Sequence, residues 1–213
     1  MKNQSFLYII IVVLLLSFGL GFSQSKLSYK DLAFEKGVTV FYLGSGASTR
    51  HFDSYKFQDE TFKYQRTPFL AFGVDHFLTS IDGGNAYLGI GPYFSTWAAN
   101  RYYTDARGNS KESLSTNSLI GVKLTHHNTF VIWKSIDMCV SLISGARIKY
   151  YHQKSINNTD IVRNVERLNI EPAIGLTATI RYYFYKNMGI YFEAGAGYKT
   201  DLAAFGIIYK IKK

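Results

Sequence analysis

The chain has 213 residues and a formal net charge of +9, and 47% of its residues are hydrophobic, 16% aromatic and only 18% charged. Average soluble domains carry about 25% charged residues, so this composition argues against a disordered chain and against a coiled coil. The single cysteine, Cys139, excludes an internal disulfide and a zinc site built from several cysteines. We expect one cohesive domain, and the sequence points to no cofactor and no metal site.

Residues 1–23 have the layout of a secretory signal peptide. Lys2 precedes an apolar run that ends at Phe22, and the small residue Ser23 stands before the predicted cleavage point. No second apolar run reaches the roughly 18 residues of a membrane-spanning helix. The sequence therefore predicts an exported domain over residues 24–213, without a transmembrane helix.

Along this exported domain, hydrophobic residues alternate with polar or small ones, which is typical of β-strands. The alternation is clearest after Leu168, where three strands follow one another and are separated by short turns at Tyr185–Asn187 and Thr200–Asp201. Eight strands are predicted in all: Val38–Gly46, Phe62–His76, Ala86–Ala98, Leu114–His126, Met138–His152, Leu168–Phe184, Met188–Tyr198 and Ala204–Lys212.

The connections between these strands alternate in length. Long polar segments follow the first, third and fifth strands, at Ala47–Thr61, Ala99–Ser113 and Gln153–Arg167, whereas short turns follow the second and sixth. Long loops at one end and short turns at the other are typical of an outer-membrane barrel whose N-terminus lies in the periplasm. The fold class predicted is therefore all-β: an eight-stranded antiparallel up-and-down transmembrane barrel.

The composition of the two strand faces predicts which one points outward. In the strands that start at Leu168 and Met188, the polar set has four charges in fourteen positions and is otherwise made mostly of Gly, Ala, Thr and Tyr. Such residues suit the crowded interior of an eight-stranded barrel, and the uncharged opposite set suits lipid. A soluble, lipocalin-like barrel that binds an apolar ligand in its interior is the alternative.

Three prolines fall inside predicted strands and remove ladder donors. Pro68 and Pro172 lie near predicted outer ends, where the ladder can fray. Pro92 lies in the middle of a strand and suggests a local bulge.

The C-terminal run from Ile180 resembles the Bacteroidetes-type outer-membrane β-barrel proteins. The resemblance rests on the aromatic Tyr182–Phe184, on Glu193 between Phe192 and Ala194, and on Gly206 followed by Tyr209. It implies a small eight-stranded barrel in the outer membrane of a Gram-negative bacterium, with no shared catalytic activity and with insertion by the barrel-assembly machinery. The chain departs from the family where it ends Ile211, Lys212, Lys213 instead of on an aromatic residue.

Charges on the inward face of a barrel should be paired. If the turn at Tyr185–Asn187 is tight, Glu193 lies diagonally across from Arg181, and a tight turn at Thr200–Asp201 brings Glu193 close to Lys210. Glu171 is expected to meet Arg147 or Lys149. These six residues form the predicted interior charge network, a set of salt bridges that fixes strand register: Glu193, Arg181, Lys210, Glu171, Arg147 and Lys149. An ion or proton path is the alternative.

No arrangement of residues in the sequence is specific for catalysis. His126 and His127 point to opposite faces of a strand, and the pairs His51 with Asp53 and Asp75 with His76 arise easily by chance. We expect the chain not to be an enzyme, with a lipid-modifying enzyme of the outer membrane as a second alternative.

The positive charge is scattered along the chain, so no nucleic-acid partner is expected. Seven basic residues on the predicted outer loops are expected to bind lipopolysaccharide phosphates instead: Arg50, Lys56, Arg101, Arg107, Lys111, Lys154 and Arg163. The function expected is that of a monomeric outer-membrane barrel, too narrow for a general porin, with a structural, adhesive or small-partner-binding role through its outer loops.

Overall fold

The computed structural model describes residues 34–47, 63–81, 86–104, 110–129, 135–156, 162–198 and 202–212. These residues form nine β-segments: β1 Val38–Ala47, β2 Lys63–Arg66, β3 Phe69–Ile81, β4 Ala86–Thr104, β5 Ser110–Thr129, β6 Ile136–Ile156, β7 Val162–Tyr183, β8 Met188–Tyr198 and β9 Leu202–Lys212. No helix within these ranges is both long enough and apolar enough to cross a bilayer.

The segments close into a ring. From β3 to β9 each strand pairs with the next along the chain, and β1 joins the two ends by pairing with both β3 and β9. Segments β2 and β3 both pair with β4, so they are two parts of one strand. The structure is thus an all-β barrel of eight antiparallel strands, as predicted from the alternation. Closure leaves no free sheet edge where the ring is complete.

The split between β2 and β3 lies at Thr67 and Pro68. Proline cannot donate to the ladder, and Thr67 holds the strand on β4 through both its backbone and its side chain. Its amide donates to the Ala98 carbonyl over 2.9 Å, and the Ala98 amide donates to its Oγ1 over 2.8 Å. Pro68 therefore interrupts the strand without detaching it.

Pro92 and Pro172 are accommodated by gaps in the pairing on one side only. Pro92 pairs with Val122 on β5. On its other side, the pairing of β3 with β4 is interrupted between the pair Gly73–Tyr93 and the pair His76–Ile90. Pro172 pairs with Ala146 on β6 and lies beyond the last residue of β7 that pairs with β8. Neither proline interrupts the ladder on its paired side.

The lengths of the strands divide the barrel into two parts. Segments β1, β8 and β9 have 10 or 11 residues, whereas β4 to β7 have 19 to 22. The extra length lies at the far end, which is the end away from the start of β1 and the end of β9. We call the five extensions the projecting sheet: residues 63–66, 97–104, 110–117, 147–156 and 162–171.

The projecting sheet corrects two predicted loops. Strand pairing continues to Thr104 with Ser110 and to Ile156 with Val162, so most of the segments predicted as loops at 99–113 and 153–167 is ladder. The error has a physical reason, because the ladder joins backbone groups and tolerates polar side chains on both faces. The predicted signal peptide, nearly all of the first predicted loop and the turn at Thr200–Asp201 lie outside the described residues.

Candidate functional site

The exterior of the barrel is apolar. Large hydrophobic side chains on every strand of the ring are exposed, among them Phe205 at 66% and Phe192 at 55%. Two polar pairs stand at the ends of this surface: Thr39 Oγ1 lies 2.8 Å from His76 Nδ1 at the near end, and Thr96 Oγ1 lies 2.9 Å from Ser118 Oγ at the far end. The outer surface of the ring is thus as apolar as a protein core. It is formed by the strand face that the sequence predicts to point outward.

The lumen contains ion pairs that reach across the ring. Lys123 on β5 donates to Glu193 Oε2 on β8, three strands away, and the Thr179 hydroxyl donates to the same oxygen over 2.8 Å. The Lys123 and Glu193 side chains are at most 1% exposed. A pair buried this completely is stable only when both charges are present.

A second cluster lies around Arg181 on β7. Its guanidinium donates to Asp75 on β3, directly opposite in the ring, and to Asp137 Oδ2 on β6 over 3.2 Å. The Thr125 hydroxyl donates to the other oxygen of Asp75 over 2.9 Å, and His127 Nδ1 lies 2.9 Å from Asp137 Oδ2. These links tie four strands of the ring together through one cation.

Tyr42 separates the two clusters and helps to fill the lumen. Its ring centroid lies 4.8 Å from Lys123 Nζ and 5.8 Å from Arg181 Cζ, distances at which both cations meet the ring face or edge. Glycine makes room for this side chain, since a Cβ at Gly73 would overlap the Tyr42 phenol. Charged and aromatic side chains therefore occupy the space along the barrel axis.

The partners predicted for Glu193 are corrected by the structure. Arg181 is diagonal to Glu193 in the β7–β8 register, as the tight turn implies, yet its ion pairs are with Asp75 and Asp137. Glu193 is opposite Ala204 and not Lys210, which lies six residues further along β9. Sequence reasoning missed Lys123 and Asp75, because they come from strands that are not neighbours of the strands considered. It missed Asp137, the register partner of Arg181 on the neighbouring β6, because that strand was predicted to begin one residue later, at Met138.

The other predicted network residues lie outside these two clusters. Glu171 is the register partner of Arg147, and its carboxylate lies 3.6 Å from Lys149 Nζ, so the expected proximity is present. Arg147 donates through two nitrogens to Asn117 Oδ1, over 2.7 and 3.2 Å. This group belongs to the base of the projecting sheet and is separate from the lumen clusters.

Lys210 lies at the near end of the barrel. Its Nζ is 4.9 Å from the centroid of the Tyr183 ring, and both residues line a cavity of about 370 Å³. Glu35 and Lys212 line the same cavity and form an ion pair of 2.6 Å. The predicted set of six is therefore spread over three places in the molecule.

Among the described residues, His127, Asp137 and Cys139 form the group that could hold a metal, since their ligand atoms lie within 4.8 Å of one another. The Arg181 guanidinium already binds the Asp137 carboxylate and opposes a second cation there. Phe34 stacks on the His127 ring with centroids 3.5 Å apart and seals this end of the lumen. The arrangement is that of a closed, hydrogen-bonded ion cluster.

Adjacent residues of the histidine-containing pairs point to opposite faces of their strands, because side chains alternate along a strand. His127 is buried in the lumen, while the adjacent His126 is half-buried on the other face. Asp75 points inward and His76 outward, so they do not form a unit. His51 and Asp53 lie outside the described residues.

The inner face of the projecting sheet continues the lumen face of β4 to β7 beyond the ring. Among the described side chains, strand register places five cations on it: Arg101, Lys111, Arg147, Lys149 and Arg167. Glu171 is the carboxylate that shares this face among the described side chains. Aromatic and amide groups lie between the cations, since Tyr151 Oη donates to Gln153 Oε1 over 2.9 Å and Gln153 Nε2 donates to Tyr103 Oη over 3.2 Å.

The outer face of the same sheet has the opposite balance. Among its described side chains, Lys154 is the permanent cation, and Glu112 and Glu166 are the carboxylates. Asn100 Nδ2 donates to Glu112 Oε1 over 3.0 Å, and this hydrogen bond, followed by one with Tyr102, lowers the pKa of the Glu112 carboxyl below its ordinary value. Counted over the described side chains, the inner face has more cations than carboxylates and the outer face has more carboxylates than cations.

This arrangement divides the cations predicted to bind lipopolysaccharide. Arg101 and Lys111 are on the inner face, and Lys154 is on the outer face. Arg50, Lys56 and Arg107 lie outside the described residues, as does the side chain of Arg163. Residue spacing could not assign these faces, because the strands were predicted to end before them.

No protein-family model and no curated protein matches the chain. Among solved structures, it is similar to Ail, the attachment invasion locus protein of Yersinia pestis, at 11% identity and a TM-score of 0.39, over 82% of this chain and 96% of that one. It is also similar to the beta domain of the Bordetella autotransporter BrkA, at 8% identity and a TM-score of 0.25, over 82% and 98% of the two chains. The transport unit of the autotransporter AIDA-I from Escherichia coli matches at 7% identity and a TM-score of 0.29, over 90% and 94%.

Proposed function

We propose that the chain is an integral outer-membrane protein whose sealed barrel anchors a partner-binding sheet outside the cell. The observation that carries this proposal is the inversion of polarity in a closed ring. Exposed hydrophobic side chains surround the barrel, and six ionisable side chains at most 1% exposed lie in its lumen: Asp75, Lys123, His127, Asp137, Arg181 and Glu193. In water this arrangement is unfavourable, whereas in lipid each surface meets a matching environment.

The strand lengths support a protein that extends beyond the bilayer. A membrane-crossing strand needs about 9–11 residues, which is the length of β1, β8 and β9. Segments β4 to β7 have about ten residues more, and at a rise of roughly 3.4 Å and a tilt of roughly 40° they project about 25 Å. A structural or adhesive role fits such a sheet, because it carries side chains away from the membrane surface.

The side chains that fill the lumen argue against diffusion of solutes through the barrel. Lys123 with Glu193, and Arg181 with Asp75, cross the lumen, and the Tyr42 ring lies between them. A solute or ion would have to separate buried pairs in order to pass, which costs several kcal/mol. The same placement argues against the lipocalin-like alternative, in which Ile174, Leu176 and Ile190 would line a ligand cavity instead of the exterior.

Orientation and surroundings complete the proposal. The near end, with its described turn at residues 184–187, would face the periplasm, and the projecting sheet the outside. Lipid and lipopolysaccharide would surround the ring, with Lys154 on the outer face in position to meet phosphates. We expect the barrel-assembly machinery to insert the chain as a monomer, and the resemblance to Bacteroidetes-type barrels is the basis for expecting a Gram-negative source.

Fractionation of expressing cells tests the proposal. The full chain should be recovered in the envelope fraction and extracted with detergent, and its mobility on a gel should change when the sample is boiled. Purified protein in a planar bilayer should give no steady conductance. Recovery in the soluble periplasmic extract would contradict the membrane assignment, and a stable open channel would contradict the sealed lumen.

A further inference from the structure

Strand β7 is paired on both sides within the ring but only on one side beyond it. Its partners on β8 run from Tyr183 to Ile174, whereas its partners on β6 continue without a shift to Val162. No described strand pairs with the β8 side of residues 162–173. At the opposite edge of the projecting sheet, β2 has only four residues, and short edge strands are a common protection against unwanted pairing. The edge of β7 is longer and regular, so another strand can pair with it.

The strand register determines which backbone groups this edge presents. In an antiparallel ladder, the N–H and C=O of one residue point to the same neighbouring strand, and successive residues alternate. The Tyr183 amide donates to the Ser135 carbonyl over 2.8 Å, toward the β6 side. Because the register with β6 has no shift, the odd residues of β7 point to β6, and Glu166, Leu168 and Ile170 point away from it. We call the backbone groups of these last three residues the free edge of β7.

Pro172 and the exposure of the strand agree with this assignment. Pro172 is the next even residue after Ile170, so the N–H that proline lacks would point to the side where pairing with β8 has ended. Residues 165–170 are all exposed, on both faces of the strand. Leu168 and Ile170 are 66% and 63% exposed on the outer face. The free edge is therefore not covered by any part of the chain that the structure describes.

From this geometry we infer that the free edge of β7 binds an extended polypeptide segment of another protein, which adds one strand to the projecting sheet. The inference rests on the proposed function, since it requires this sheet to lie outside the membrane, and it names the class of partner. An antiparallel strand beside Glu166, Leu168 and Ile170 forms about six backbone hydrogen bonds, because each of these residues exchanges two. The added strand lies directly beyond the end of β8.

The side chains along the free edge determine the chemistry of the partner. Leu168 and Ile170 point to the outer face, so apolar residues are favoured opposite them. Arg167 and Asn169 point to the inner face, so polar residues are favoured between the apolar ones. In antiparallel pairing, the apolar residues of the partner are also those whose N–H groups point to β7. The partner is therefore an extended segment in which apolar and polar residues alternate.

A second copy of the chain in the same membrane does not fit the free edge. Strands of small barrels are tilted by about 40° from the barrel axis. Two copies with parallel axes therefore hold their β7 strands at no more than about 80° to each other, since the two tilts at most add. Paired antiparallel strands point in opposite directions to within about 25°. A different polypeptide meets this requirement, because no bilayer restricts its orientation.

Hydrogen exchange tests whether the edge is open. In the full-length protein in lipid nanodiscs, the amides of Leu168 and Ile170 should exchange at least about a hundredfold faster than those of Arg167 and Asn169, which point to β6. Equal protection of these four amides before any partner is added would show that lipid or another part of the chain already covers the edge. That result would overturn the inference.

A synthetic probe tests strand addition. The probe is a blocked peptide of alternating Val and Thr with Lys at both ends, and empty nanodiscs correct for its binding to lipid. Methylation of the Val amides should weaken binding at least about tenfold, whereas methylation of the Thr amides, which point away from β7, should weaken it less than about twofold. Bound probe should also slow the exchange of Leu168 and Ile170. Absence of binding, or equal binding of the two methylated forms, would overturn the inference.

Substitutions locate the binding site. Leu168→Lys should weaken binding of the probe at least about fivefold, since it replaces an apolar contact by a charge at the edge. Leu168→Pro removes an edge donor without removing a hydrogen bond to β6, and a similar loss is expected. The matched control is Leu114→Lys, at an exposed position of the same outer face on β5, which is paired on both sides. It should change affinity less than about twofold, and equal losses in the Leu168 and Leu114 variants would overturn the assignment.

Two further measurements separate the competing outcomes. Gel mobility with and without boiling is recorded for every sample. A protein that inserts and shifts but does not bind the probe contradicts this inference alone, whereas failure to insert contradicts the proposed function. Self-association is measured in parallel, and a dimer that is lost in Leu168→Lys would replace the foreign polypeptide by a second copy of the chain and overturn the inference.

Discussion

The lumen and the inner face of the projecting sheet lie on the same face of the same strands, yet their charges have different surroundings. On β7, Arg181 is 1% exposed and binds two carboxylates, whereas Arg167, further along the same face, is exposed. On β5, Lys123 is fully buried against Glu193, and Lys111 is half-buried beside the Tyr103 ring, 5.9 Å from its centroid. The difference follows from closure of the ring. Where opposite strands exist, a charge on this face meets a partner across the lumen and stabilises the fold, and where they end, Arg167 on the same face is exposed.

Removing Arg181 is expected to have the largest effect on the stability of the barrel. Arg181→Ala should leave Asp75 and Asp137 buried without their shared cation, at a cost of about 4 kcal/mol or more in the free energy of unfolding. Urea unfolding in detergent micelles, followed by gel mobility, measures this loss. Arg167→Ala on the same strand is the matched control and should cost less than about 0.5 kcal/mol. Equal effects of the two changes would show that ring closure does not govern these charges.

Smaller losses of stability are expected from changes in the ion pair between Lys123 and Glu193, made singly and together. Glu193→Gln and Lys123→Met should each destabilise the barrel by about 3 kcal/mol, because each leaves one buried charge. The double variant should lose less than the sum, with a coupling of about 1–3 kcal/mol. The same unfolding assay completes this cycle. Additive losses would contradict a direct pair across the lumen.

Phe34, which seals the near end of the lumen, is expected to contribute still less to the free energy of unfolding. Phe34→Leu keeps an apolar side chain but removes the ring stacked on His127, and should cost about 1 kcal/mol. The proton signals of the His127 ring should also move downfield, since the shielding aromatic ring is gone. Phe205→Leu on the lipid-facing exterior is the control, and unchanged His127 signals in the Phe34 variant would contradict the stacked arrangement.

The smallest expected effect lies on the outer face of the projecting sheet. Asn100→Ala removes the donor to Glu112, so the lowered pKa of this carboxyl should rise toward its ordinary value. A depressed carboxyl pKa means that the stabilising hydrogen bond is present above the ordinary pKa and is lost as pH falls through the lowered one. Carbon-detected NMR titration of Glu112 measures the shift, with Thr116→Ala as the control. An unmoved or lower pKa in the Asn100 variant would contradict the assigned cause.

Strand alternation was sufficient to predict the barrel. Hydrophobic side chains at every second position, such as Ile174 and Leu176, predict both the strand and its lipid-facing side, because strand geometry has a strict period of two. The prediction failed where both faces are polar, and Asn100, Arg101 and Tyr102 were therefore assigned to a loop. Backbone pairing with β5 supports that segment, and a pattern of side-chain polarity does not detect it.

The lumen network could be predicted only in part for a different reason. Arg181 and Glu193 were identified as inward charges from their strand positions, and both are buried. Their partners Asp75 and Lys123 lie four and three strands away, and strand tilt and stagger decide which residues meet at one height. Local turn geometry contains no information about such distant contacts, so neighbouring strands were considered instead.

The apolar exterior of the ring is expected to lie in lipid. Spin labels attached at Ile207→Cys and Ile190→Cys, in a Cys139→Ser background reconstituted into lipid vesicles, test it through collisions with oxygen and with a water-soluble nickel chelate. Both labels should be accessible to oxygen and protected from the chelate, whereas a label at Lys154→Cys should show the reverse. Labels at Ile207 and Ile190 that collide freely with the chelate would place this surface in water and contradict a membrane location of the barrel.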